Sequence, residues 1–77
     1  MLTSLISYIV KKLVENPDAV QVYQEIIGEK TTIKVVVVPD DMRRVIGREG
    51  KVARALRTLI GALVTTGQYE LDFDSAA

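Results

Sequence analysis

Val45-Ile46-Gly47-Arg48-Glu49-Gly50-Lys51-Val52-Ala53-Arg54-Ala55-Leu56 is the stretch on which the reading of this chain turns. A Gly-x-x-Gly alone is a weak signal, because two glycines at that spacing arise often and Gly47 would also serve as a left-handed helix cap. Its setting says more. The aliphatic pair Val45-Ile46 leads into the turn, and a helical pattern with Val52, Leu56, Leu59 and Leu63 on the core side leads out of it. Glycines lack Cβ and let backbone approach a phosphate closely, while the helix that starts after Gly50 offers unpaired amides at its positive end. A nucleotide P-loop is excluded, since only two residues separate the glycines and Val52 stands where Ser or Thr would bind magnesium.

Charge gathers at the same place. The 77 residues carry ten basic and ten acidic side chains, yet Arg43 to Arg57 holds six of the basic residues and only one acid, Glu49. That segment is +5 and the remainder −5, so a neutral chain has one strongly basic patch of the kind that attracts phosphate. Arg48 is placed for a phosphate, Lys51 and Arg54 continue along one helix face, and Arg43 and Arg44 flank the other side. Tyr8, Tyr23, Tyr69 and Phe73 all lie outside the basic segment, which leaves aliphatic contact for any unstacked base.

Upstream, Leu2, Leu5, Ile6, Ile9, Val10, Leu13 and Val14 form an apolar stripe that predicts a helix over residues 3–15, capped by Thr3 or Ser4 and stopped by Asn16-Pro17. Alternation over 19–27, the break Gly28-Glu29-Lys30 and the β-branched run 31–38 predict a hairpin whose second strand is central and flanked on both faces. Pro39-Asp40-Asp41 starts a very short helix, Met42 to Ile46. The helix after the turn runs from Lys51 to about Thr66 with Gly67 at its end, and Tyr69, Leu71 and Phe73 alternate with acids in a last strand. Lys34 is expected to pair with Glu70 or Asp72 on a neighbouring strand.

This order, with the turn in this place, resembles the KH domain in its type II form. Asn16-Pro17-Asp18, Pro39-Asp40-Asp41-Met42 and Val45-Ile46-Gly47 are more narrowly similar to the small stand-alone bacterial KH proteins of the KhpA type. The resemblance implies an α+β fold of order αββααβ, with a three-stranded mixed sheet covered on one face by three helices. It makes residues 1–77 one domain, with a βααβ core over 31–74, an N-terminal helix and strand over 3–27 and a loose tail over 75–77. It also implies a non-catalytic single-stranded RNA-binding protein that takes about four nucleotides per module. The implied site is Arg43, Arg44, Ile46, Gly47, Arg48, Glu49, Gly50, Lys51, Ala53 and Arg54, with Ile46 and Ala53 forming the apolar floor. Self-association, pairing with a larger KhpB-type protein, and an RNA-chaperone role linked to cell elongation and division are further implications.

Absences narrow the chemistry. Without cysteine or histidine there is no thiolate or imidazole metal site, no Cys nucleophile and no Ser-His-Asp triad, and the ten acids show no paired spacing. No enzyme and no cofactor are expected. The longest uncharged runs fall short of the roughly 20 residues that span a bilayer, and the apolar N-terminus lacks a basic n-region, so a cytoplasmic protein without a membrane partner is expected. The uncharged stretch Leu59 to Val64 exceeds what one core stripe uses, and predicts a dimer through Ile60, Gly61 and Val64. A second reading makes pairing with a larger KH partner the main role, with Glu49 marking a turn that binds RNA weakly or not at all.

Overall fold

The computed structural model describes residues 2–64 and 67–76. A helix, α1 (Leu2–Leu13), leads through a 3-10 turn at Pro17–Ala19 into strand β1 (Gln21–Ile27), which pairs antiparallel with β2 (Lys30–Val37). A 3-10 turn at Pro39–Asp41 opens the short α2 (Met42–Ile46). The Gly47–Gly50 turn then passes the chain to α3 (Lys51–Leu63), and β3 (Gln68–Ser75) returns parallel to β2. The sheet order is β1-β2-β3, which makes β2 central as expected, and the element order is that of the α+β fold inferred from the sequence.

The core lies between the sheet and the helices. Ile33, Val35 and Val37 of β2 are buried with Ile6 and Val10 of α1, Val45 of α2 and Leu56 and Ile60 of α3. Fully burying a side chain such as Ile6, Ile33 or Ile60 contributes about 1.5–3 kcal/mol each. Lys34 is exposed and Thr32 and Val36 are half-buried, so the second face of β2 is open to solvent and only one face of the sheet is covered. An antiparallel pair tolerates that arrangement, which is why a β-branched run alone does not establish two-sided burial.

Several local expectations shift. α1 stops at Leu13 because the amides of Glu15 and Asn16 donate to the Asp41 carboxylate instead of continuing the helix. Its stripe is wider than the core needs, and Leu5 and Leu13 remain exposed. In α3 the core-facing residues are Ala53, Leu56 and Ile60, while Leu63 is exposed. The two apolar stripes share Leu56, and the small Ala53 and Gly61 select the one that brings the helix close to the sheet. α3 ends at Leu63 with Val64 extended, and Thr66 lies outside the described residues. Gly67 is therefore no helix cap: its φ is +76°, and a Cβ there would collide with the Glu29 carbonyl oxygen. Lys30, not Lys34, makes the cross-strand ion pair, at 2.8 Å from Glu70, even though Lys34 is in register with Asp72. The hydrogen bond between them raises the Lys30 pKa and lowers that of Glu70. The expected loose tail is bound as far as Ala76, whose amide donates to the Val37 carbonyl, and Ala77 lies outside the described residues.

Candidate nucleic-acid interface

α2 owes its position to Asp41. This side chain is fully buried and accepts from the Glu15 amide at 3.1 Å, the Asn16 amide at 3.0 Å and Asn16 Nδ2 at 3.1 Å. Arg44 Nη1 donates to it as well, at 3.2 Å. Burial pushes the carboxyl pKa up, but the Glu15 and Asn16 hydrogen bonds and the Arg44 charge outweigh it, and the net shift is downward. The aspartate expected to start its own helix thus holds the chain end of α1 instead, and makes no side-chain cap on α2.

At the other end of α2 the backbone enters the turn through Gly47, at φ +80°. A Cβ on Gly47 would lie 2.8 Å from the Val52 amide nitrogen, so only glycine allows the first turn of α3 to fold back against it. Glu49 follows in the left-handed region at φ 57°, the only described non-glycine residue with a positive φ, and Gly50 at φ 74°. Gly47 donates to the Arg43 carbonyl at 2.8 Å and Gly50 to the Gly47 carbonyl at 3.2 Å. Arg54 Nη2 donates to the Glu49 carbonyl at 3.3 Å. Glu49 itself has no ion pair among the described residues, so its charge stands unneutralised within the basic patch.

The predicted residues divide in space. Arg43, Arg48, Lys51 and Arg54 are exposed around the turn and form one basic surface. Ile46, half-buried at the end of α2, lines a groove against β3, which none of these four basic residues lines. Arg44 belongs elsewhere: its guanidinium bonds Glu15 at 2.7 Å, Asp41, and the Asp40 carbonyl at 3.0 Å, which makes it a structural tie. Ala53 is 3% exposed and lies in the core, beneath any floor a base would touch. The dimer surface fails at two of its three positions. Ile60 is fully buried, and the Tyr69 hydroxyl lies where a Gly61 Cβ would be, so neither offers a face to a partner; Val64 is half-buried against the core.

The groove also contains residues that sequence separation concealed. Arg57, Leu71 and Phe73 line it with Ile46, as do Lys34 and the acids Asp72 and Asp74, so an aromatic side chain does lie beside the basic segment, in a groove of mixed charge. The Gln68 amide donates to Glu29 and the Ala76 amide to Val37, which shows that even-numbered residues of β3 turn their backbone groups toward β2. The odd-numbered Leu71 and Phe73 consequently present amide and carbonyl at the free edge of the sheet, along the groove. The parity of a last, parallel strand was the available signal, but it becomes readable only once the pairing is known.

Comparison with known proteins agrees with this fold. The family model described as "KhpA/KhpB, KH domain" matches residues 3–73. The RNA-binding protein KhpA of Streptomyces coelicolor is 46% identical over 63 residues, covering 82% of this chain and 80% of the relative. Its counterpart from Caldanaerobacter subterraneus is 49% identical over 59 residues, covering 75% and 77%. That from Leifsonia xyli is 39% identical over 72 residues, covering 94% and 95%. A match of this extent, on a chain whose helices, sheet and Gly47–Gly50 turn have the expected order, means that the chain belongs to the KhpA/KhpB family of KH domains.

Proposed function

We propose that this chain is a non-catalytic protein that binds single-stranded RNA in the groove between the Gly47–Gly50 turn and β3. The observation that carries the reading is that the exposed basic turn adjoins, through Ile46, a groove along the free edge of β3, so that phosphate-attracting and base-contacting groups lie side by side. On the helix side, Arg48, Lys51 and Arg54 surround the positive end of α3 and attract phosphates. In the groove, Ile46 of α2 and Phe73 of β3 offer apolar surface to a base, while the outward-facing Leu71 carbonyl and Phe73 amide supply an acceptor and a donor for its edge. The names of the relatives, RNA-binding proteins all, support the same class of ligand.

The acting unit we infer is a dimer built on α3, on the face its core stripe leaves over. Leu63 is 51% exposed, Ala55 is exposed and Leu59 half-buried, and Leu13 of α1, 38% exposed, borders them. Two grooves held together raise retention of one strand without any new contact to RNA. The same face is suited to a larger KhpB-type partner, and a chaperone role in elongation and division follows from the family resemblance.

The test leaves Gly47 untouched, since any side chain there strains the fold. Arg48→Asp with Lys51→Glu changes two exposed side chains and places both new carboxylates near the N-terminus of α3, where its dipole favours them. Binding to a single-stranded oligonucleotide at low salt is expected to fall by about 10-fold or more. The salt dependence is expected to flatten by about 0.7 log units for each phosphate the variant no longer neutralises. Unchanged affinity and slope in a variant that melts as the parent does would remove the groove from the account and favour the protein-pairing reading.

A further inference from the structure

The opposite edge of the sheet is unused by the groove and carries the features of a strand-accepting surface. β1 pairs only with β2, in unbroken register from Gln21↔Val36 to Ile27↔Lys30, around a two-residue turn. The pair that closes such a turn exchanges hydrogen bonds, which directs the odd-numbered residues of β1 to β2. The amides and carbonyls of Val22, Gln24 and Ile26 therefore face outward. Edge strands are usually protected by proline, charged side chains, a bulge or a covering loop. β1 has no proline and no bulge, its one charge, Glu25, lies on the face opposite Val22, Gln24 and Ile26, and it ends in Ile26 and Ile27, 62% and 69% exposed.

We propose that this edge takes up an extended segment of another protein as a fourth strand, apolar at alternate positions and acidic where it passes Lys11. The side of the edge nearest the helices explains the preference. Ser4, Ser7 and Lys11 recur along one stripe of α1 and, with Val22, line a groove directly beside β1. A strand added there runs beneath that stripe: the serines leave room for its side chains, Lys11 favours a carboxylate, and an aliphatic residue covers Ile26. Pairing of β1 with a second copy is disfavoured by the same charge, since it would bring the two Lys11 grooves to the same seam. The site is at the far edge from β3, so strand and RNA are accommodated together.

The probe is a blocked nine-residue peptide alternating valine with threonine and glutamate, titrated into the full chain and followed by amide hydrogen exchange. Slowing by at least tenfold at Val22, Gln24 and Ile26, abolished when proline replaces the central residue of the peptide, is the expected result. Exchanging the peptide's glutamates for lysines is expected to weaken binding at least threefold, and Lys11→Glu to reverse that preference. Ile26→Lys is expected to abolish the protection and leave RNA affinity unchanged, which separates this site from the groove. Absence of protection at the three amides, or an equal response to both peptides, overturns the proposal. Protection that rises with protein concentration and without peptide would overturn it also, by assigning the edge to a second copy.

Discussion

Asp41 at the entry of α2 and the Gly47–Gly50 turn at its exit are built in opposite ways. Around Asp41 every demand is met: the carboxylate is buried, and backbone and side-chain donors from the end of α1 and from Arg44 converge on it. In the turn, three of four residues have positive φ, one of them a glutamate, and the charges lie exposed. The contrast separates two tasks on one five-residue helix. The buried end fixes where α2 sits, and the exposed end spends conformational energy to hold backbone near a ligand.

The contrast is most strongly tested at its stable end. Asp41→Ala leaves the part-buried Glu15 and Asn16 amides without their acceptor, opens a void where a buried carboxylate sat, and leaves Arg44 only Glu15 and the Asp40 carbonyl. The melting temperature is expected to drop by about 10–20 °C for a chain of this size. A change of only a degree or two would mean that α1 and α2 are held by the core alone, and the division of labour would collapse.

Acid sharpens the comparison. The folded pKa of Asp41 is lowered, so its stabilisation is fully present above the ordinary carboxyl range of about 4 and is lost as pH falls through the lower folded value. Melting temperature is expected to decline below about pH 4 in the parent, and to decline less steeply in Asp41→Asn, which has no such proton to take up. Parallel pH profiles of the two proteins would assign the acid sensitivity to other carboxylates, Glu70 among them, whose pKa is also lowered.

How much of this was legible in the sequence depends on whether a feature is local. The order of elements, the short α2 and the turn were readable because proline, glycine and period-two or period-3.6 patterns act within a few residues. The phase of α3 was not, because Leu59 to Val64 is apolar on every side and two stripes through Leu56 satisfy the same period. Arg44 looked like its basic neighbours until folding brought Glu15 and Asp41 against it. Phe73 looked remote from the basic segment until the parallel return of β3 set it beside Ile46. In each case the missing information was the meeting of residues far apart in the chain.

Glu49 gives the smallest and most discriminating effect. At φ 57° it occupies a region that asparagine tolerates better than glutamate, because a short polar side chain hydrogen-bonds locally there. Its charge also stands in the path of a phosphate attracted by Arg48, Lys51 and Arg54. Glu49→Asn is therefore expected to stabilise the fold by about 0.5–1 kcal/mol, by relieving part of the left-handed penalty. It is also expected to tighten RNA binding about threefold at low salt, the size of one unit charge removed at about 6 Å in water. Both changes are small, but they have the same sign, and that distinguishes a strained, self-opposing turn from one optimised for grip. A variant that binds more tightly yet melts earlier would show that Glu49 supports the turn and that only its charge opposes the ligand.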